Sequence, residues 1–311
     1  MHNGTVGQEQ PVRSTCALLP TGPGVYRFTD DRGRVIYVGR ATNLRARTQS
    51  YFGDLGDRRH LRRMVPQIAA VEAVVCASAH EAAWLERNLL ERSLPRWNRT
   101  RGGQEVPVWL ELVEDARRPG LHLSHDPAPG AEAYGPYLGH ERAAVARRGL
   151  LRAWPLHLAG TRPAASDLAF AAARGLGPAD RPDLVAGLRA VLAGQPDALD
   201  RHAAALHAAR DIAVARLAYE TAQQIQTELA AVAWLVAPQR VTGCSPADFV
   251  VTGWTDGVLV RFAAHGGRLD TWQVEHRATP PPRTATPGPV WEEFAAVNAE
   301  LAARLAAGGR A

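Results

Sequence analysis

The chain has 311 residues, of which 46% are hydrophobic and 22% charged, with a formal net charge of +5. That composition excludes wholesale disorder, and no run of about 18 apolar residues offers a membrane-spanning helix. The three scattered cysteines, Cys16, Cys76 and Cys244, exclude a cysteine-only metal cluster within the chain and give no reason to expect a disulfide framework. All 36 basic residues are arginine, and their excess is local: residues 1–100 hold 15 arginines against 9 acidic residues, the rest 21 against 22. Arginine richness without lysine is also what a GC-rich genome produces, but that does not explain an excess confined to one end. A basic segment of this kind suits a phosphate backbone. The first residues show no secretory signal, so a cytoplasmic protein is expected, with no membrane association.

In chain order, residues 1–15 read as a disordered leader. Residues 24–29 (GVYRFT) and 34–39 (RVIYVG) are rich in β-branched and aromatic residues and predict two strands, with Asp30–Gly33 as the turn. A short helix is expected over 43–51 with Asn43 near its N-cap, and another over 61–68. Residues 71–77 (VEAVVCA) predict a third strand. Ser78 then caps a helix over 79–94, with Glu81 at the capping-box position and Pro95 beyond its end. Residues 16–100 thus form a small α/β unit. An α+β extension follows over 101–160, with strands at 106–113 and 120–124, a Gly/Pro turn at 134–139 and a helix at 141–154. Residues 161–181 read as a linker. Residues 182–236 read as helical, in two pieces broken near 194–196, the longer being one arm of a helical hairpin or a helix for a partner. Residues 237–311 form a small α+β region with two or three strands in 249–276, a Pro-rich stretch and a terminal amphipathic helix, and have no assignable role.

Several side chains in the first hundred residues stand out. With a four-residue turn at 30–33, Thr29 opposes Arg34 and Tyr26 opposes Tyr37, so two phenols project from one face of the hairpin. An ordinary core aromatic pair would look the same. Asn43, Arg47 and Tyr51 follow at i, i+4 and i+8 on one helix face, with Arg40 just before them. Glu86 sits among Ala82, Ala83, Leu89 and Leu90 on the apolar face of its helix, where a carboxylate needs a metal or a charged partner. A buried Glu–Arg pair would also satisfy it, whereas Glu81 and Glu91 lie nearer the edges of that face. Tyrosines, arginines and one misplaced carboxylate are parts that metal-assisted phosphodiester hydrolysis uses. On the residues alone the reading stops at a basic module suited to nucleic acid.

Residues 19–52, LPTGPGVYRFTDDRGRVIYVGRATNLRARTQSYF, and residues 81–98, EAAWLERNLLERSLPRWN, resemble the GIY-YIG nuclease domain of the UvrC/Cho excinuclease family. The resemblance implies a small antiparallel three-stranded sheet with flanking helices, followed by a mixed α+β region with a long helical segment. It makes Tyr26 and Tyr37 the signature tyrosines, with Tyr26 the general base, directly or through a water. Gly39 lets the chain approach the site, Arg40 stands where the family usually has Lys, and Arg47 stabilises charge on the scissile phosphate. Tyr51 shares its helix, Glu86 holds a divalent metal (Mg or Mn), and Asn98 closes the site. The DNA contacts expected are Arg40, Asn43, Arg45, Arg47, Arg58, Arg59, Arg62 and Arg63.

A looser resemblance runs through 134–158 and into a helical region like the family's UvrB-contacting hairpin, keeping Leu217-Ala218-Tyr219-Glu220 in type but with Gln226-Thr227 where Arg-Asp is usual. The family's cluster cysteines are missing, so no iron–sulfur cluster is expected. The implied protein is a shortened, Cho-like relative, monomeric, incising damaged double-stranded DNA on the 3′ side of a lesion after UvrA and UvrB. The alternatives are a GIY-YIG nuclease outside excision repair and a catalytically inactive DNA-binding module.

Overall fold

A computed structural model describes residues 6–53, 55, 61–101, 105–162, 164–242, 247–282 and 288–308, with no side-chain description for residues 6–10. The chain divides into two compact units. The first joins residues 1–104 to 238–311, and the second is residues 105–237.

In the first unit, α1 (Val6–Leu18) precedes strands β1 (Gly24–Thr29) and β2 (Val35–Ala41), helix α2 (Leu44–Gln49), strand β3 (Ala70–Val75) and helix α3 (Ala79–Arg92). The strands form an antiparallel sheet in the order β2-β1-β3. The structure corrects the reading of residues 1–15 as a leader: Val12, Cys16 and Leu19 recur at helical spacing, and burying them holds α1 in the core. Leu61–Ile68 is not an α-helix. It is a chain of tight turns with a 3₁₀ segment over Val65–Gln67, where Pro66 sits at the start.

The hairpin register also differs from expectation. Asp30 N bonds Arg34 O and Gly33, at φ +72°, bonds back to Asp30 O, so the loop runs to Arg34 and Thr29 pairs with Val35. A shift between Phe28 and Thr29 then sets Tyr26 opposite Gly39 and Phe28 opposite Tyr37. From Phe28 back to Gly24 the net slip is two residues, which keeps Tyr26 and Tyr37 on one face. Tyr26 and Tyr37 are therefore diagonal neighbours, ring centroids 6.2 Å apart.

The C-terminal region expected over 237–311 is not separate: from residue 238 on it is part of this unit. Strands β7 (Phe249–Thr255), β8 (Val258–His265) and β9 (Arg268–His276) form an antiparallel meander, and α9 (Pro289–Gly308) packs on β7, β8 and β3. One apolar cluster takes Val25, Val38 and Val74 from the first sheet, Leu85 and Leu89 from α3, Phe262 and Trp272 from the second sheet, and Phe294 from α9. At Gly253 the α9 backbone lies where a Cβ would be, 2.0 Å from Ala295 O, which is why that position is glycine. Asn298 of α9 accepts from Val75 N at 2.7 Å, tying α9 to the end of β3.

The second unit holds a sheet in the order β5-β4-β6, from β4 (Pro107–Val113), β5 (Gly120–Ser124) and β6 (Ala133–Leu138). Residues 134–139, expected as a turn, are mostly strand: β6 is an edge, and Pro136 sits at an irregularity in its pairing with β4, where its missing N–H costs little. The helices are α4 (His140–Ala153), α5 (Ala165–Arg174), α6 (Arg181–Leu192), α7 (Pro196–Ala215) and α8 (Tyr219–Leu235). The supposed linker 161–181 thus contains α5, an alanine-rich helix capped by left-handed Gly175. Residues 182–234 make three helices. The second break falls at Leu217, φ +59°, where no glycine or proline marks the turn.

Candidate active site

Each signature side chain is placed by a local device. Asn43 caps α2 by accepting from Ala46 N at 2.9 Å, which sets Arg47 one turn on and continues into a 3₁₀ turn carrying Tyr51. Tyr26 is fully buried, and its hydroxyl lies 2.7 Å from the Tyr51 hydroxyl. Arg47 Nε donates to Tyr26 Oη at 3.4 Å, and its guanidinium stands 5.6 Å from the Tyr51 ring centroid. Tyr37 is half-buried and closes the aromatic group edge-on to Tyr51 at 5.8 Å. Gly39 leaves room for the phenols: a Cβ there would lie 2.5 Å from the Tyr26 hydroxyl.

Burial first, then the neighbouring Tyr51 and Tyr37, push the Tyr26 phenol well above its ordinary pKa, while Arg47 pulls the other way. Tyr37 is raised for similar reasons, with the Glu86 carboxylate contributing. That contribution links the aromatic group to the second half of the site. Glu86, on α3, accepts from Arg40 N at 3.1 Å and pairs with Arg40 Nε at 3.3 Å, its side chain 21% exposed.

The remaining expected residues are not all at this centre. Asn98 grips the Val38 backbone from both amide atoms, at 2.9 and 2.7 Å, and Trp97 N bonds Ile36 O, so this segment braces β2 and acts on the site through it. Arg45 donates to Leu19 O at 2.7 Å. Arg62 and Arg63 are exposed, and Arg62 lines a groove beside Tyr51. Arg58 and Arg59 lie outside the described residues.

One carboxylate was misjudged from the sequence. Glu81, expected near the edge of the apolar face, is fully buried. It accepts from Ala77 N at 2.5 Å and from Arg240 N and Val241 N at 2.8 Å each. It serves as a structural clasp between the start of α3 and the C-terminal part of the unit. Residues 240–241 carry no motif, so only its capping role was visible beforehand.

Comparison with known proteins agrees with the geometry. Residues 22–99 match the family described as the UvrC-like GIY-YIG domain. This chain carries a UvrC-like GIY-YIG domain. It is 43% identical over 122 residues to UvrABC system protein C of Mycolicibacterium vanbaalenii, covering 38% of this chain and 18% of that protein. The Geobacter metallireducens protein of the same name is 34% identical over 146 residues, 46% of this chain and 24% of that one. The Symbiobacterium thermophilum counterpart is 29% identical over 280 residues, 84% of this chain and 43% of that one. The chain therefore spans less than half the length of these relatives. The family match ends at residue 99, whereas the folded unit around the UvrC-like domain continues with residues 238–308.

Proposed function

We propose that this chain is a divalent-metal-dependent endodeoxyribonuclease of nucleotide excision repair that incises one strand of damaged duplex DNA on the 3′ side of the lesion, after UvrA and UvrB have located it. The observation that carries this reading is the convergence on β2 of the Tyr26–Tyr51–Arg47 cluster and the Arg40–Glu86 pair. Glu86 suits a hard cation. It offers carboxylate oxygens at a partly accessible position, and Mg²⁺ is commonly bound through one or two carboxylates together with water and substrate phosphate. A cation held by Glu86 would supply Lewis-acid polarisation of the scissile phosphate.

The chain's own residues do the rest. Glu86 would hold the cation, and the Arg40 guanidinium, now paired with it, would face the phosphate beside that cation. Arg47 faces charge that develops on the phosphoryl oxygens. Tyr26 would take the proton of the attacking water, directly or through another water, only after its own phenolic proton has passed to solvent. Burial opposes that loss and the positive charge of Arg47 favours it. Asn98 holds β2, and with it Tyr37 and Gly39, in position. The turn between α7 and α8, in the segment that resembles the UvrB-contacting hairpin, exposes Ile212, Val214, Leu217 and Tyr219.

The long alignment with the Symbiobacterium thermophilum protein supports excision repair over an unrelated nuclease role. A purely structural carboxylate would also make the Arg40–Glu86 pair, so the second reading is a non-catalytic DNA-binding module. Nicking of a lesion-bearing duplex with Mg²⁺ or Mn²⁺, with and without UvrA and UvrB, separates the two. Glu86→Gln should abolish nicking and leave DNA binding within about twofold, since the amide keeps the shape and removes the charge. Tyr26→Phe should lower the rate about 10²- to 10⁴-fold. Wild-type nicking by Glu86→Gln at limiting metal would overturn the metal assignment, and a loss under threefold in Tyr26→Phe would leave that hydroxyl structural.

A further inference from the structure

A groove of about 220 Å³ opens next to the tyrosine cluster, lined by Tyr51, Phe52, Leu55, Arg62, Val65 and Pro66. Tyr51 belongs to both, so the groove adjoins the candidate active site through that residue. The Phe52 ring is half-buried. Its position is secured by Arg13, whose guanidinium lies 5.4 Å from the ring centroid and donates to Phe52 O at 2.6 Å. Arg62, exposed, lines the groove itself and brings a cation to it.

An aromatic wall flanked by guanidinium groups is the chemistry that receives an unstacked nucleobase: ring on ring, cation on the adjoining phosphate. The volume lies below the roughly 300–1,000 Å³ typical of clefts for drug-sized ligands, so it suits one flat heterocycle and excludes a base pair. The surrounding charge selects nucleic acid over an acidic or apolar peptide segment as the occupant, because the unit carries 23 arginines against 16 acidic residues.

We propose that this groove binds one unpaired nucleobase of the incised strand, with the ring on Phe52 and its flanking phosphate on Arg62. The choice of strand rests on the nuclease reading; the groove's affinity for a base does not. The enzyme would then act on DNA in which a nucleotide beside the cut is already out of the stack, where the cost of unstacking is least.

The test uses the full chain in EDTA with duplexes containing a short bubble, 2-aminopurine being placed singly at successive positions. One position should change its fluorescence on binding, and Phe52→Ala should lose that change. The same variant should weaken binding about 5- to 100-fold, the range of a base stacked on an aromatic ring. Phe52→Trp should restore both. With an abasic site at the responding position, wild type and Phe52→Ala should bind alike. No responding position, or an equal loss for Phe52→Ala on intact and abasic DNA, overturns the proposal and returns the groove to a protein partner. Nicking with Mn²⁺, on a lesion-bearing duplex with UvrA and UvrB present, is scored separately. A fluorescence response without nicking sinks the nuclease reading alone, and nicking without a response sinks the base groove alone.

Discussion

Gly39→Ala tests the geometry that unites the phenols with β2. A Cβ on residue 39 would stand 2.5 Å from the Tyr26 hydroxyl oxygen, 2.7 Å from Tyr26 Cζ and 2.9 Å from Tyr37 Cε1. Contacts this short require movement, and Tyr26 has nowhere to go. Its ring is fully buried against Phe28 and Tyr51, and its hydroxyl is held by Tyr51 and Arg47. Overpacking of a filled core costs about 1–3 kcal/mol, which for a unit of this size lowers Tm by roughly 2–12 °C at about 2–4 °C per kcal/mol. Displacing the phenol by even a few tenths of an ångström also stretches its bond to Tyr51, so nicking should fall at least tenfold at a temperature where the variant is folded. Gly22→Ala is the control, because nothing lies within 4 Å of a Cβ there. Urea unfolding and nicking assays on the three proteins decide the matter. A Gly39→Ala protein within about 0.5 kcal/mol of wild type and cutting at the wild-type rate would mean that Gly39 does not face Tyr26, and the register of β1 on β2 would have to be redrawn.

The second unit should be acid-sensitive through His202, which is buried, with neither ring nitrogen hydrogen-bonded among the described residues and its pKa lowered to about 4 by burial, against a smaller opposing pull from Glu228. A folded pKa below the unfolded value of about 6.5 means that the stability is intact above pH 6.5 and is lost as pH falls towards 4, by about 1.4 kcal/mol per unit and about 3 kcal/mol in all. His202→Leu should flatten that stretch of a urea-midpoint titration, and an unchanged slope would remove His202 from the account. DNA affinity should fall with salt at a log–log slope of roughly −3 to −5, as three to five arginine–phosphate contacts require; a slope near zero would place the arginines in surface ion pairs only. A fragment of residues 15–100 should not fold, since its core is completed by Phe262, Trp272 and Phe294, and adding residues 238–311 in trans should restore cooperative unfolding. Cooperative melting of the short fragment alone would show that the C-terminal sheet merely decorates the domain.

How far the sequence revealed this arrangement depends on which side of each element is considered. The β1–β2 hairpin, the capped helix α2 and the cap of α3 were legible because turn residues, Asn43 and Ser78 act locally. The Glu86 anomaly was legible because Ala82, Ala83, Leu89 and Leu90 draw a clear apolar stripe around it. The register was not, because a bulge leaves no mark in composition and a two-residue slip preserves the alternation. The second layer of the unit escaped for a related reason. Helix α3 is buried on two sides: one face rests on β1 and β2, and the helix also packs on β9. That second contact engages residues that do not read as a stripe. Trp84 is buried with Arg268 over its ring, and Asn88 is buried with neither amide atom partnered among the described residues. A polar helix face normally means solvent. Here the signal lay in Trp84, a large apolar side chain on the polar side of an otherwise ordinary amphipathic helix, and in the acceptor capacity of Glu81, which one capping bond does not exhaust. Both needed a partner layer, and the chain supplies it from beyond residue 238, after the whole of the second unit. The charge follows the same division. The first unit holds 23 arginines against 16 acidic residues and the second 13 against 15. Residues 238–311 hold 7 arginines against 7 acidic residues, so the excess stays on residues 1–104 and the C-terminal sheet and α9 complete that body without adding to its charge.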